Sequence, residues 1–119
     1  FKSDVEYKEG EPFMGGGERA LSGDQAYGAI RALNAETGER KWEFKLQSPP
    51  WSGLMATAGG LLFGGSMEGN FFALDGDTGQ PLWKINTGGP VISNPIGFAH
   101  QGNQHIAVAA GHSIFVFGL

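Results

Sequence analysis

Few residues in this chain have the types and spacing that chemistry demands. His100, His105 and His112 could offer imidazole nitrogens to a metal ion or a proton. Their intervals of five and seven fall in strand-and-loop sequence, which is not expected to bring two of them to one face as a zinc-binding helix does. No metal site is assigned to them. Asp75-Gly76-Asp77-Thr78-Gly79 has the look of a calcium loop but lacks the bidentate Glu that closes one, so it reads as a turn. Gly15-Gly16-Gly17 is not followed by the Lys and Ser/Thr of a phosphate-cradling loop. The absence of cysteine removes disulfides, thiolate ligands and a thiol nucleophile. No Ser, His and Asp form an arrangement specific enough for a hydrolytic triad, and no catalytic residue is assigned. Trp51 remains. An indole suits a flat conjugated ligand, through stacking or an N–H bond to a carboxylate; the same indole could instead fill space in a core.

The elements that would position these residues are strands. Glycine supplies 21 of the 119 residues, against a usual share of about 7%, and an interior glycine costs a helix about 1 kcal/mol relative to alanine. The longest glycine-free stretch, Glu39 to Ser52, is itself broken by Pro49-Pro50. With 40% hydrophobic and 12% aromatic residues the chain can bury a core, so disorder is excluded as firmly as long helices. An internal repeat defines the layout. Gly28-Ala29-Ile30-Arg31-Ala32-Leu33-Asn34-Ala35-Glu36-Thr37-Gly38-Glu39-Arg40-Lys41-Trp42 returns forty-one positions later as Gly69-Asn70-Phe71-Phe72-Ala73-Leu74-Asp75-Gly76-Asp77-Thr78-Gly79-Gln80-Pro81-Leu82-Trp83, with Gly, Ala, Leu, Thr, Gly and Trp in register. A partial third copy matches Phe71–Leu74 to Ile114–Phe117.

Each copy reads as a hairpin, with Gly38 and Gly79 at turn positions that need positive φ and Ala32 and Ala73 leaving room where sheets approach. Trp42 and Trp83 are expected to cover apolar area and to donate their indole N–H groups to backbone carbonyls. Leu54–Ala58 and Leu61–Gly65 complete a four-stranded sheet ending at Ile85. A three-stranded sheet is expected from Ile92–Phe98, Gln104–Ala110 and Ser113–Phe117, and two strands of an earlier sheet near Ala29–Leu33 and Lys41–Lys45. Four strands per roughly 41 residues is the period of a β-propeller blade. The chain is therefore all-β, about two and a half blades of a propeller, with an irregular acidic, glycine-rich lead-in over 1–26 and blades over 27–119. A self-contained β-sandwich would leave the repeat unexplained.

Charge narrows the partners. The net charge is −4, and the last Asp, Glu, Lys or Arg is Lys84. Nucleic acid binding needs clustered Lys/Arg and is excluded. A charge-free segment after Lys84 is expected to be covered by further protein, either the rest of a propeller or another copy of the chain.

The repeat Ala-x-x-x-x-Thr-Gly-x-x-x-Trp resembles the tryptophan-docking motif of quinoprotein dehydrogenase propellers. Pro50-Trp51-Ser52-Gly53-Leu54-Met55-Ala56-Thr57-Ala58-Gly59-Gly60 extends the likeness, as do Gly88-Gly89-Pro90-Val91-Ile92-Ser93-Asn94-Pro95 and Gly102-Asn103-Gln104-His105-Ile106-Ala107-Val108-Ala109-Ala110-Gly111. Together they are similar to the last blades of pyrroloquinoline quinone (PQQ)-dependent alcohol dehydrogenases of the methanol/ethanol type. That resemblance implies an eight-bladed ring holding PQQ and calcium at its centre. It implies periplasmic oxidation of an alcohol to an aldehyde, with electrons passed to an acceptor such as a cytochrome c. It implies cofactor contacts from Trp51, and from Gly111 and His112, which stand where methanol dehydrogenases have a Gly-Trp pair beside the quinone. The family's catalytic Asp and calcium ligands have no counterpart here, so the chain by itself is expected to be inactive and free of cofactor. The contrasting reading is a non-enzymatic scaffold of the same repeats, as in outer-membrane assembly, binding peptides along its blades.

Overall fold

The computed structural model describes residues 6–11 and 27–119; the expectations for the remainder of the 1–26 lead-in, including Gly15-Gly16-Gly17, lie outside the described residues. Every regular element among them is a strand: β1 Gly28–Leu33, β2 Arg40–Leu46, β3 Met55–Ala56, β4 Leu61–Gly65, β5 Asn70–Asp75, β6 Pro81–Asn86, β7 Ile96–His100, β8 Asn103–Ala110 and β9 Ser113–Gly118. They form antiparallel meanders in sequence order: a two-stranded sheet (β1-β2), a four-stranded sheet (β3 to β6) and a three-stranded sheet (β7 to β9). This is the blade layout expected from the repeat. The third sheet begins at Ile96 rather than Ile92. Val91 donates its N–H to Ser66 O (3.0 Å), the Ser93 hydroxyl is bonded to Ala109, and Pro95 has no N–H to give, so this stretch cannot join the ladder.

The turns explain the conserved spacing of the repeat. Asp75 Oδ1 accepts from the N–H groups of Asp77 (3.0 Å) and Thr78 (2.8 Å) and from the Thr78 hydroxyl (2.8 Å), while Asn34 Oδ1 accepts from Glu36 and Thr37 in the first copy. These side chains satisfy turn backbone that no ladder reaches. Bonds from Thr78 hold the Asp75 carboxyl below its ordinary pKa, and the loop is the turn that the sequence suggested. Gly38 and Gly79 sit at φ +74° and +73°.

Alternation along the strands gives each sheet two unlike faces. Phe63, Phe71 and Ala73, with Met55 beside them, pack on Ile106, Val108, Ala110, Phe115 and Phe117 of the third sheet. On the other side Phe72 and Leu74, with Leu62, pack on Ile30, Trp42 and Phe44 of the first. The register of the repeat assigns Ile96, Ala107, Ile114 and Val116 to the role of Met55, Phe63, Phe71 and Ala73. Three of these are 60%, 77% and 56% exposed (Ile96, Ile114, Val116), a charge-free apolar face.

The two docking tryptophans differ. Trp42 donates its indole N–H to Gly76 O (3.0 Å) in the next sheet's turn, against Gly79. Trp83 meets Phe71 and Phe117 edge-on, makes no such bond among the described residues, and is 41% exposed.

Candidate functional site

One end of the sheets collects four loops: residues 50–53, 66–69, 87–94 and 110–113. They are joined by short, specific contacts. The Ser52 hydroxyl donates to Gly65 O (3.1 Å) and accepts from Gly65 N (2.8 Å), fixing the first loop to the end of β4. Thr87 donates both its N–H (2.8 Å) and its hydroxyl (2.9 Å) to Gly69 O. Gly111 N donates to Pro90 O (3.0 Å). Close approach depends on missing side chains: a Cβ on Gly53 would run into Asn94, and one on Gly89 would stand 2.9 Å from Gly111 Cα. The Ser48 hydroxyl donates to Glu68 Oε1 (2.6 Å) and holds that carboxyl below the ordinary range.

Residues 87–90, 92–93 and 109–113 line an open concavity of about 590 Å³ at this end. Gly111 and His112 line it together. Trp51 does not line it; it belongs to the adjoining loop, connected through the Gly53–Asn94 contact. Its indole is 74% exposed, so it packs between none of the described sheets. Trp42, by contrast, is half-buried and bonded across a sheet boundary. Signals that sequence reasoning missed are hydroxyls. Ser93 makes with Ala109 the same donate-and-accept pair (2.9 and 3.0 Å) that Ser52 makes with Gly65, forty-one positions earlier.

The histidines require a correction. The Gln101-Gly102 turn has φ +50° and +81° at its two residues, and sets Phe98 opposite His105 and His100 opposite Asn103. His100 and His105 therefore do share a face, as diagonal neighbours with rings 6.4 Å apart. They lie at the β7–β8 hairpin, away from His112 in the 110–113 loop. Among the described residues no three His, Cys, Asp or Glu side chains come together.

The residues present suit a flat organic ligand better than a cation. An exposed indole offers a stacking surface, and the glycines at 89 and 111 let backbone come close. The concavity's walls are mostly Gly, Ala, Pro and Ile, with Thr, Ser and His as its polar groups.

Comparison with known proteins agrees with the repeat. Residues 26–117 match the sequence family PQQ_2, described as outer membrane protein assembly factor BamB. The chain is similar to the quinoprotein alcohol dehydrogenase PedE of Pseudomonas putida, 40% identical over 110 residues, covering 92% of this chain and 17% of that protein. It is also similar to methanol dehydrogenase [cytochrome c] subunit 1 of Paracoccus denitrificans, 38% identical over 111 residues, covering 88% and 18%. Among solved structures a europium-containing methanol dehydrogenase aligns with a TM-score of 0.67 at 44% identity, over 70% of this chain and 15% of that one. The chain thus spans about a sixth of the length of the curated relatives it matches.

Proposed function

We propose, since this chain belongs to the PQQ_2 family of β-propellers, that it supplies part of the ring and part of the quinone pocket of a PQQ-dependent alcohol dehydrogenase. The observation that carries the proposal is Trp51. It stands outside the Thr-Gly-x-x-x-Trp register, is 74% exposed, and sits at the end of the sheets where the Gly111-His112 loop also lies. Its relatives in this family are quinoprotein alcohol and methanol dehydrogenases over about nine-tenths of its length. PQQ, when bound, takes up the two electrons that an alcohol loses on becoming an aldehyde. The chain's own residues bind and orient: Trp51 offers an apolar plane, Gly111 a close backbone approach, and His112 an imidazole at the rim. Covered by a flat ligand and by the rest of the ring, the apolar walls would shed water and strengthen the polar contacts that remain.

The catalytic carboxylate and the cation's ligands are assigned to other blades, which makes this chain inactive alone. The cation is calcium or, as in the europium-containing relative, a lanthanide. A cytochrome c is the electron acceptor we assign, after the name of the methanol dehydrogenase relative, and the periplasm is the compartment we assign, as the resemblance to quinoprotein dehydrogenases implies. Among the described residues no helix is long and apolar enough to cross a membrane. The scaffold reading has the family's description in its favour, and an exposed tryptophan could also anchor a peptide; the dehydrogenase reading is preferred because the relatives at 38–40% identity are quinoprotein alcohol and methanol dehydrogenases.

The test uses the full-length protein reconstituted with PQQ and calcium or lanthanum. Trp51→Ala is expected to weaken PQQ binding and slow dye-linked alcohol oxidation with little change in the melting temperature of the cofactor-free protein. Trp83→Ala is expected to lower that melting temperature first. Identical profiles for the two variants refute the assignment.

A further inference from the structure

The exposed Trp51 indole has few means of holding itself in place, yet the backbone on either side of it is tied down. On one side the Pro50 ring lies against Gly28 of β1, where a Cβ would stand 2.8 Å from Pro50 Cδ. On the other the Ser52 hydroxyl both donates to Gly65 O and accepts from Gly65 N at the end of β4. Gly53 then tucks beneath Asn94. An exposed aromatic on backbone fixed at both neighbours is preorganised: its orientation is selected before any ligand arrives.

We infer that Ser52 is a positioning residue for Trp51, acting on the ligand only through the indole beside it. This rests on Trp51 being part of the quinone pocket. A purely structural role has a ready comparator at the other end of β3. The Thr57 hydroxyl, just past that end, accepts from Leu61 N (3.2 Å) and donates a longer bond to Leu61 O (3.5 Å), beside the backbone bond from Thr57 N to Leu61 O (2.9 Å). Ser52 and Thr57 thus fasten the same short strand to β4 at its two ends, and only Ser52 adjoins the tryptophan. If these hydroxyls merely hold the sheet together, their removal has the same consequences at either end.

The experiment is a PQQ titration of the full-length apoprotein with calcium present, followed by tryptophan quenching, together with melting temperatures of the cofactor-free variants. Ser52→Ala removes two hydrogen bonds and is expected to weaken PQQ binding about tenfold. Thr57→Val is expected to lower the melting temperature comparably and leave PQQ affinity within about twofold of the parent. In the Trp51→Ala background, Ser52→Ala is expected to have no further effect on affinity, the non-additivity of residues acting through one group. Where alanine prevents folding, Ser52→Cys keeps the volume while weakening both bonds, with the same sign of effect. Equal loss of affinity for Ser52→Ala and Thr57→Val, no loss for Ser52→Ala, or an additive double variant each overturn the inference. Unchanged affinity in Trp51→Ala alone overturns instead the reading of the site on which it rests.

Discussion

Gly79→Ala and Gly38→Ala form a matched pair that isolates what one sheet-to-sheet docking contact is worth. Both glycines end the same turn in successive copies of the repeat, at φ +73° and +74°. An alanine at either must adopt a left-handed conformation, costing about 1 kcal/mol. At Gly38 nothing lies within 4 Å of the added Cβ, so that is the whole cost. At Gly79 the Cβ would stand 2.5 and 2.6 Å from ring atoms of Trp42, which has to move. Displacing the indole breaks its N–H bond to Gly76 O, about 1 kcal/mol, and repacking a filled contact adds about 2 kcal/mol. The expected losses are therefore roughly 4 kcal/mol for Gly79→Ala and roughly 1 kcal/mol for Gly38→Ala. Urea unfolding of the two variants, compared at a common denaturant slope, measures both. Losses within about 0.5 kcal/mol of one another would refute the claim that Trp42 locks the first sheet to the second.

Asp75 predicts a pH dependence. Its carboxyl titrates below its ordinary value because Thr78 bonds the ionised form, so its contribution is present above the unfolded pKa and is lost as pH falls through the depressed folded value. Asp75→Asn, the residue that the first copy carries at Asn34, is expected to keep the turn while flattening the fall in melting temperature below about pH 4; an unchanged acid profile counts against it. The chain expressed by itself is expected to self-associate through Ile96, Ile114 and Val116, and Ile114→Lys with Val116→Lys to reduce that association. A monodisperse monomer by light scattering at high concentration, for the unaltered chain, removes the prediction.

Much of the fold was legible because the repeat carries its own register. Matching Thr-Gly turns fix where β1/β2 and β5/β6 reverse, and Ala73 falls opposite Trp83 as Ala32 does opposite Trp42. The start of β7 differs from the sequence expectation because Val91 gives its N–H to Ser66 in the neighbouring turn and the Ser93 hydroxyl takes both backbone groups of Ala109 in β8, tertiary contacts that residue types do not reveal. The His100–His105 pair was missed for a different reason. Its geometry depends on a two-residue turn with both residues at positive φ, and Gln101 is not a residue that announces one. At the candidate site, Trp51 could be singled out because it breaks the repeat's register. Its Ser52 and Thr57 fastenings could not, because a lone hydroxyl in sequence says nothing about which carbonyl it will meet.

The unlike faces of each sheet bear on how copies of this chain can meet. Contact between the two different faces is head-to-tail, a mode that either closes into a ring or propagates into a filament. Propagation requires a matching apolar surface at the far end of the molecule. There, at the position that Phe72 holds in the second sheet, the first sheet carries Arg31, paired with Glu43 across the strands. Covering that ion pair with the apolar face of another copy would strip it of water, a penalty of several kcal/mol per ion. A single arginine in the first repeat thus works against fibre growth and leaves apolar face against apolar face, a closed pair, as the cheaper way for two copies to associate.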